Sequence, residues 1–223
     1  MESMIRTGSP ARGQTSVIVS RPGSTFVVTE VEAKSRGGLF ERLDDDGAHT
    51  GLLILAPHGG QLEPPTDLQA LRVFDKLRGR PVSTWRCEGY HPNGGKAAFD
   101  RWHITSTEIR EAGFPLMAQL ADRRFRFAVS FHGMTDDRVL IGGAAPIRLR
   151  TEIRDAIRHA LGKSKAAVDL ALPGDPKGGR DPKNIVNRYA KAGGVQIEQS
   201  LRARQDHWKA IADAVAKVYA SRL

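Results

Sequence analysis

The chain has 223 residues, 40% of them hydrophobic and 26% charged, which supports one sizeable core and leaves too little length for two comfortable domains. No apolar run approaches the ~18 residues of a membrane span, and the polar stretch from Met1 to Ser16 lacks the apolar centre of a signal peptide. The single cysteine, Cys87, excludes an intramolecular disulfide and any multi-cysteine zinc or iron-sulfur site, while a net charge of +9 favours an anionic partner such as nucleic acid or an acidic polymer.

These features predict a soluble cytoplasmic protein with no membrane partner, release by cell lysis remaining open. Residues 1–15 are expected to form a flexible segment ahead of one domain over residues 16–223. Ser16 to Ser20 and Thr25 to Glu32 read as strands joined by the Arg21-Pro22-Gly23-Ser24 turn, an early hairpin. Leu52 to Ala56 is a continuous apolar run, the pattern of a strand covered on both faces, ending at Pro57 so that His58 starts a loop. Thr66 can cap a helix reaching about Leu77. Val82 to Tyr90 is strand-like, and Asn93-Gly94-Gly95 is a turn.

A helix is expected over residues 112–123, then strands over 126–131 and 139–141. Ile147 to Leu161 has helical periodicity, with Ile147, Ile153, Ile157 and Leu161 inward and Gly162 as its stop. A strand over 167–172, a Pro- and Gly-rich loop over 173–183, a short strand over 194–198 and a helix over 205–221 complete the chain. Strands alternating with helices predict an α/β fold, a central mixed sheet flanked by helices. From Arg148 onward 16 Lys and Arg stand against 8 Asp and Glu, so the last third carries +8 of the net charge.

In such sheets ligands gather beyond the carboxyl ends of the strands, where His58, His132 and Glu198 all fall. His58 and Glu63 share a loop whose Gly59 and Gly60 allow a tight return of the backbone. With His132 from a separate strand they can form a two-histidine, one-carboxylate zinc site with a fourth position open for water. Spacing leaves a second reading equally open, hydrogen-bonded histidines at strand ends. His49, His91, His159 and His207 suit surface or capping roles, and Cys87 reads as a small core hydrophobe. Asn93-Gly-Gly-Lys96 lacks the length and the hydroxyl residue of a phosphate-binding loop.

Ala56-Pro-His58-Gly-Gly-x-x-Glu63, His103-Ile-Thr-Ser106, Ser130-Phe-His132-Gly, Ile141-Gly-Gly143, Asn184-Ile-Val-Asn187-Arg188 and Gly194-Val-Gln-Ile-Glu198 resemble, in order, the motifs of the poly-γ-glutamate hydrolase family. Some of its members have been labelled phage-related replication proteins. The resemblance implies a zinc carboxypeptidase-like α/β fold, one zinc ion per chain on His58, Glu63 and His132, and Glu198 as the catalytic carboxylate. It implies hydrolysis of γ-glutamyl amide bonds in an anionic polymer. Gln199 departs from the pattern, which has an apolar residue there.

Arg188 and Asn187 are candidates for holding a substrate carboxylate and an oxyanion, and His103 is a candidate substrate-side group. Arg188 pairing with an acidic neighbour is an equal alternative, as is His103 packing at a loop base. Manganese or cobalt would suit the same ligands as zinc. A related N-acyl- or N-formyl-glutamate amidohydrolase is the nearer rival activity. A nucleic-acid-binding protein, suggested by the charge, is the more distant one.

Overall fold

Leu52, Ile54 and Ala56 join one apolar cluster and Leu53 and Leu55 another, so the strand carrying them is covered on both faces, as its unbroken apolar run requires. The computed structural model describes residues 15–18, 30–45, 47–164 and 166–223. Among these residues eight strands form one mixed sheet: β1 (Thr15–Ile18), β2 (Gly38–Asp44), β3 (Leu52–Gly60), β4 (Val82–Tyr90), β5 (Phe127–Met134), β6 (Arg138–Gly142), β7 (Ala167–Leu170) and β8 (Val195–Ser200). Their order is β1-β2-β4-β3-β5-β8-β6-β7. The central four, β4, β3, β5 and β8, are mutually parallel, whereas β2 and β6 run antiparallel to β4 and β8.

From β3 the chain crosses to β4 on one side, then returns past it to β5 on the other. The connections therefore diverge beyond the carboxyl ends of β3 and β5, the place where open α/β sheets leave a crevice.

One face is covered by three helices, α2 (Thr66–Lys76), α5 (Ile147–Leu161) and α7 (Leu201–Ala220). Ile54, Val129, Phe131, Val195 and Ile197 meet Val73, Ile153, Ile157, Ile211 and Val215 there, all fully buried. Burying each such side chain contributes roughly 1.5–3 kcal/mol. On the opposite face lie α3 (Gly95–Trp102), α4 (Pro115–Ala118), α6 (Ile185–Arg188) and loops. That second core holds Leu53, Leu55, Trp85, Ile109, Phe114, Met117 and Tyr189. A further helix, α1 (Glu30–Arg36), leads into β2.

Several expectations change. The partner of β1 is β2, and residues 30–32 are helical, while the rest of the expected second hairpin strand and its turn, like residues 1–14, lies outside the described residues. β2 has no alternating signal because Glu41 and Arg42 interrupt it, yet both are buried and partnered. Glu41 accepts from Trp85 Nε1 at 2.7 Å, Met117 N at 2.9 Å and Leu116 N at 3.2 Å. That carboxylate receives the free amides at the start of α4, and the helix expected over 112–123 is reduced to this short piece and a 3-10 turn (Glu111–Gly113).

Thr66 does not cap α2. It opens the helix, and its hydroxyl donates to the His58 carbonyl at 3.3 Å. Ile147 is exposed at the solvent side of α5, while the other three expected inward residues are buried. α7 begins four residues earlier than expected because Ser200 Oγ accepts from Ala203 N at 3.1 Å, a side-chain cap.

Candidate metal centre and its carboxylate

β3 does not stop at Pro57. It continues to Gly60 through an irregularity: Ala56 pairs with Arg86, but Gly59 pairs with Glu88, so β3 spends one residue more than β4 over this step. The slip has a directional effect. Ile54 and Ala56 face the three-helix layer, and strict alternation would send His58 the same way. His132 and Glu198 follow Phe131 and Ile197, which face that layer, so they belong to the opposite face. The bulge turns His58 to their side. Gly59 and Gly60 suit this tight path: a Cβ on Gly59 would lie 2.7 Å from Asp67 Cβ, and Gly60 has φ +66°.

At the ends of β3 and β5, His58 Nδ1 lies 3.0 Å from Glu63 Oε2 and 3.2 Å from His132 Nδ1, and His132 Nδ1 lies 3.8 Å from the same carboxylate oxygen. All three residues are buried. Glu63 is returned to His58 by its own N–H, which donates to the His58 carbonyl at 2.9 Å, and its Oε2 also accepts from Gly133 N at 2.8 Å. His58 Nε2 lies 2.8 Å from the Ile104 carbonyl, an acceptor that keeps a proton on Nε2 and turns Nδ1 toward the cluster.

Ligands about 2.0–2.1 Å from a tetrahedral ion lie roughly 3.3 Å apart, close to the separations of these three atoms. Two imidazole nitrogens facing each other beside a carboxylate require a positive charge among them. His58 meets that need in the protein alone: burial disfavours its charged form, but Glu63, the Ile104 carbonyl and Glu198 together raise its pKa. Glu63 is likewise held down to about 2, because the His58 charge and hydrogen bond outweigh the burial that would raise it. Burial first, and the neighbouring His58 charge second, push His132 down to about 3, a neutral imidazole able to donate a lone pair.

His103 joins the group from the loop after α3. Its ring lies 4.2 Å from both the His58 and Phe99 rings, and its Nε2 is 3.8 Å from Glu63 Oε1. Burial and His58 lower its pKa to about 4. His58, Glu63 and His103 form a second trio whose potential ligand atoms lie within 4.8 Å of one another. The trio with His132 is tighter and more completely buried, so it is the better candidate.

Glu198 sits opposite His132 in the β5–β8 ladder. Gln196 Nε2 donates to its Oε1 at 2.9 Å, while Oε2 is buried without a partner. Burial first and the Glu63 charge second raise its pKa to about 8, against the opposing Lys177 and His58 charges. A carboxyl group poised near neutrality can exchange a proton in either direction.

Asn187 and Arg188 have no hydrogen bond or ion pair to this group. Asn187 Oδ1 accepts from Ala144 N at 3.0 Å and Gly194 N at 3.1 Å, and its Nδ2 donates to the carbonyls of Gly179 and Asp181 at 2.8 Å each, so the amide is fully spent. Arg188 pairs with Glu111 at 3.1 Å, matching the ion-pair alternative in the sequence. Gln199 faces away from Glu198 and exchanges two bonds with Gln69 of α2, at 2.8 and 2.9 Å.

Three site residues were not singled out in the sequence. Gln196 lies two positions before Glu198, a same-face signal that strand alternation offers. Arg204, in the first turn of α7, donates to the carbonyls of Pro64 and Gln199 and packs on Gly133, where a Cβ would lie 2.6 Å from its Nη2. Lys177, in the Pro- and Gly-rich loop, carries a charge that acts on Glu198, His132 and His103.

The family model described as poly-gamma-glutamate hydrolase matches residues 28–218. The fold resembles a bacteriophage poly-gamma-glutamate hydrolase structure, with 27% identity, TM-score 0.60, and coverage of 84% of this chain and 90% of that one. It also resembles the zinc-free apo form of YNDL, at 21% identity and TM-score 0.62, covering 83% and 90% of the two chains. A candidate metallopeptidase from Shewanella baltica OS155 shares the fold at 13% identity and TM-score 0.52, covering 82% and 81%. No curated protein sequence matches the chain significantly.

Proposed function

The chain belongs to the poly-γ-glutamate hydrolase family, and from that premise we propose that it cleaves γ-glutamyl amide bonds in an anionic polymer with a divalent metal ion, zinc in the first instance, held by His58, Glu63 and His132. The observation that carries this reading is the convergence of His58 Nδ1, Glu63 Oε2 and His132 Nδ1 within 3.0–3.8 Å beside a carboxylate of raised pKa. The similarity to the phage hydrolase supports the substrate class.

When bound, the ion would supply Lewis acidity, polarising the scissile carbonyl and making water a stronger acid. The protein's own groups do the rest. Glu198 Oε2 takes a proton from water and returns it to the departing nitrogen, while Gln196 fixes the other oxygen. His58 keeps its Nδ1 aimed at the site through the Ile104 carbonyl, and Gly133 N steadies Glu63. His103 packs its ring against His58, and Phe99 stacks on the His103 ring.

Elemental analysis of the folded wild type, His58→Ala and His132→Ala tests the centre. About one metal ion per chain in wild type, lost in both variants together with cleavage of poly-γ-glutamate, is the expected result. Retained metal in both variants, or no metal after incubation with zinc, would reject the ligand assignment. Cleavage of N-acyl-glutamates in preference to polymer would instead favour the related amidohydrolase.

A further inference from the structure

The loop over residues 173–183 is held to the sheet end by main-chain atoms of three successive residues. Gln196 Nε2 donates to the Lys177 carbonyl at 3.3 Å, Gly143 N to the Gly178 carbonyl at 2.7 Å, and Asn187 Nδ2 to the Gly179 carbonyl at 2.8 Å. The Lys177 N–H in turn donates to Asp175 Oδ1 at 3.0 Å. The approach is close: a Cβ on Gly142 would lie 2.3 Å from the Gly178 carbonyl oxygen, and Gly179, at φ +61°, would press a Cβ to 2.6 Å from Gln196 Cδ. The same Gln196 amide that holds Lys177 holds Glu198 Oε1, so a single side chain separates the Lys177 backbone from the proposed base.

Lys177 is exposed, and none of the ion pairs among the described residues uses its ammonium, unlike the Arg188 guanidinium, which is occupied by Glu111. Its charge acts on Glu198 on β8, on His132 on the neighbouring β5 and on His103 in the loop after α3. A cation anchored at its root, lacking a protein counter-ion and set beside the catalytic carboxylate is suited to an anion on the substrate.

We propose that Lys177 is a specificity-determining residue that grips the free carboxylate on the leaving side of the scissile amide. This rests on the γ-glutamyl hydrolase reading. In a γ-linked chain the nitrogen that receives the proton is attached to a carbon that also carries a free α-carboxylate. In an interior α-peptide bond that carbon carries another amide. A cation beside Glu198, the group that delivers the proton, therefore distinguishes the two linkages at the carbon next to the departing nitrogen.

The test uses γ-linked glutamate oligomers in which one α-carboxylate is either free or converted to a carboxamide, with cleavage positions read by mass spectrometry. Wild type should cut the bond whose departing nitrogen belongs to the modified unit about 10–100-fold more slowly than the same bond with a free α-carboxylate, the scale of a lost charge-assisted contact. Lys177→Met should lose that discrimination, chiefly through a raised KM on the free carboxylate. Lys177→Arg should retain it. The loop is pinned through main-chain atoms, and matching circular dichroism spectra will show that the variants keep the fold.

Discrimination that persists in Lys177→Met, or is absent from wild type that cleaves the oligomers, overturns the inference and leaves the hydrolase reading standing. Failure of metal-loaded wild type to cleave any oligomer overturns both.

Discussion

At the scale of single residues, a buried polar pair such as Gln69 and Gln199 should lose more when one partner is removed than when both are. Gln199, where the sequence resemblance leads one to expect an apolar residue, is accommodated by Gln69: the two amides satisfy each other, and Gln199 Nε2 also reaches the His132 carbonyl at 3.3 Å. Gln199→Leu alone should cost about 1–3 kcal/mol, whereas the double change with Gln69→Leu should recover most of it, measured by urea unfolding. Glu198→Gln should lower kcat by roughly 10²–10⁴ while leaving the metal content of the purified protein unchanged. Asp67 gives a pH signature. Burial first and the Glu88 charge second raise its pKa from 3.8 to about 6, so the unfolded chain loses this proton before the folded one does. Stability should therefore fall as pH rises from about 4 to 6, and Asp67→Asn should flatten that slope by about 1–2 kcal/mol in denaturation series. The sequence singles out His58, Glu63, His132 and Glu198 by their places at or just beyond strand ends, and the fold brings these four together. Lys177 was not legible, because a lysine in a loop looks the same whether it faces solvent or a substrate.

Among the elements, those read correctly are the ones whose burial follows their own periodicity. The Leu52–Ala56 run of β3 and most of α5 needed no long-range information beyond their own apolar pattern. β2 was hidden because its buried charges have partners far away in sequence, Glu41 with Trp85 and the start of α4, and Arg42 with Glu88 at 2.9 Å. The expected helix over 112–123 broke up for the related reason that Glu41 receives its first amides. The true start of α7 was signalled by Ser200, overlooked because it directly follows the β8 strand pattern. Ser200→Ala should cost about 1 kcal/mol and lower Tm by roughly 2–4 °C in calorimetry. Because Glu198 lies just before that cap, fraying of the first turn of α7 should also loosen Arg204 from the carbonyls of Pro64 and Gln199.

For the whole molecule, the +8 carried from residue 148 onward is a field as well as a composition. If it guides a polyanion to the strand ends, raising salt should increase KM for long γ-glutamyl chains several-fold more than for short fragments, since only the long chain spans many cations. Equal salt effects in steady-state assays at two chain lengths would remove this role. The layered fold was visible in the alternation of strands and helices, but the strand order was not, because it depends on which edges meet after the chain has collapsed. One local irregularity joins these scales. The extra residue between Ala56 and Gly59 is absorbed by the bulge, so Gly59 pairs with Glu88 in the same phase as Ala56 with Arg86, and His58 is left on the face where it meets His132. A substitution that changes how this stretch accommodates its extra residue would therefore act on the centre by re-aiming His58, with every ligand atom still present in the chain.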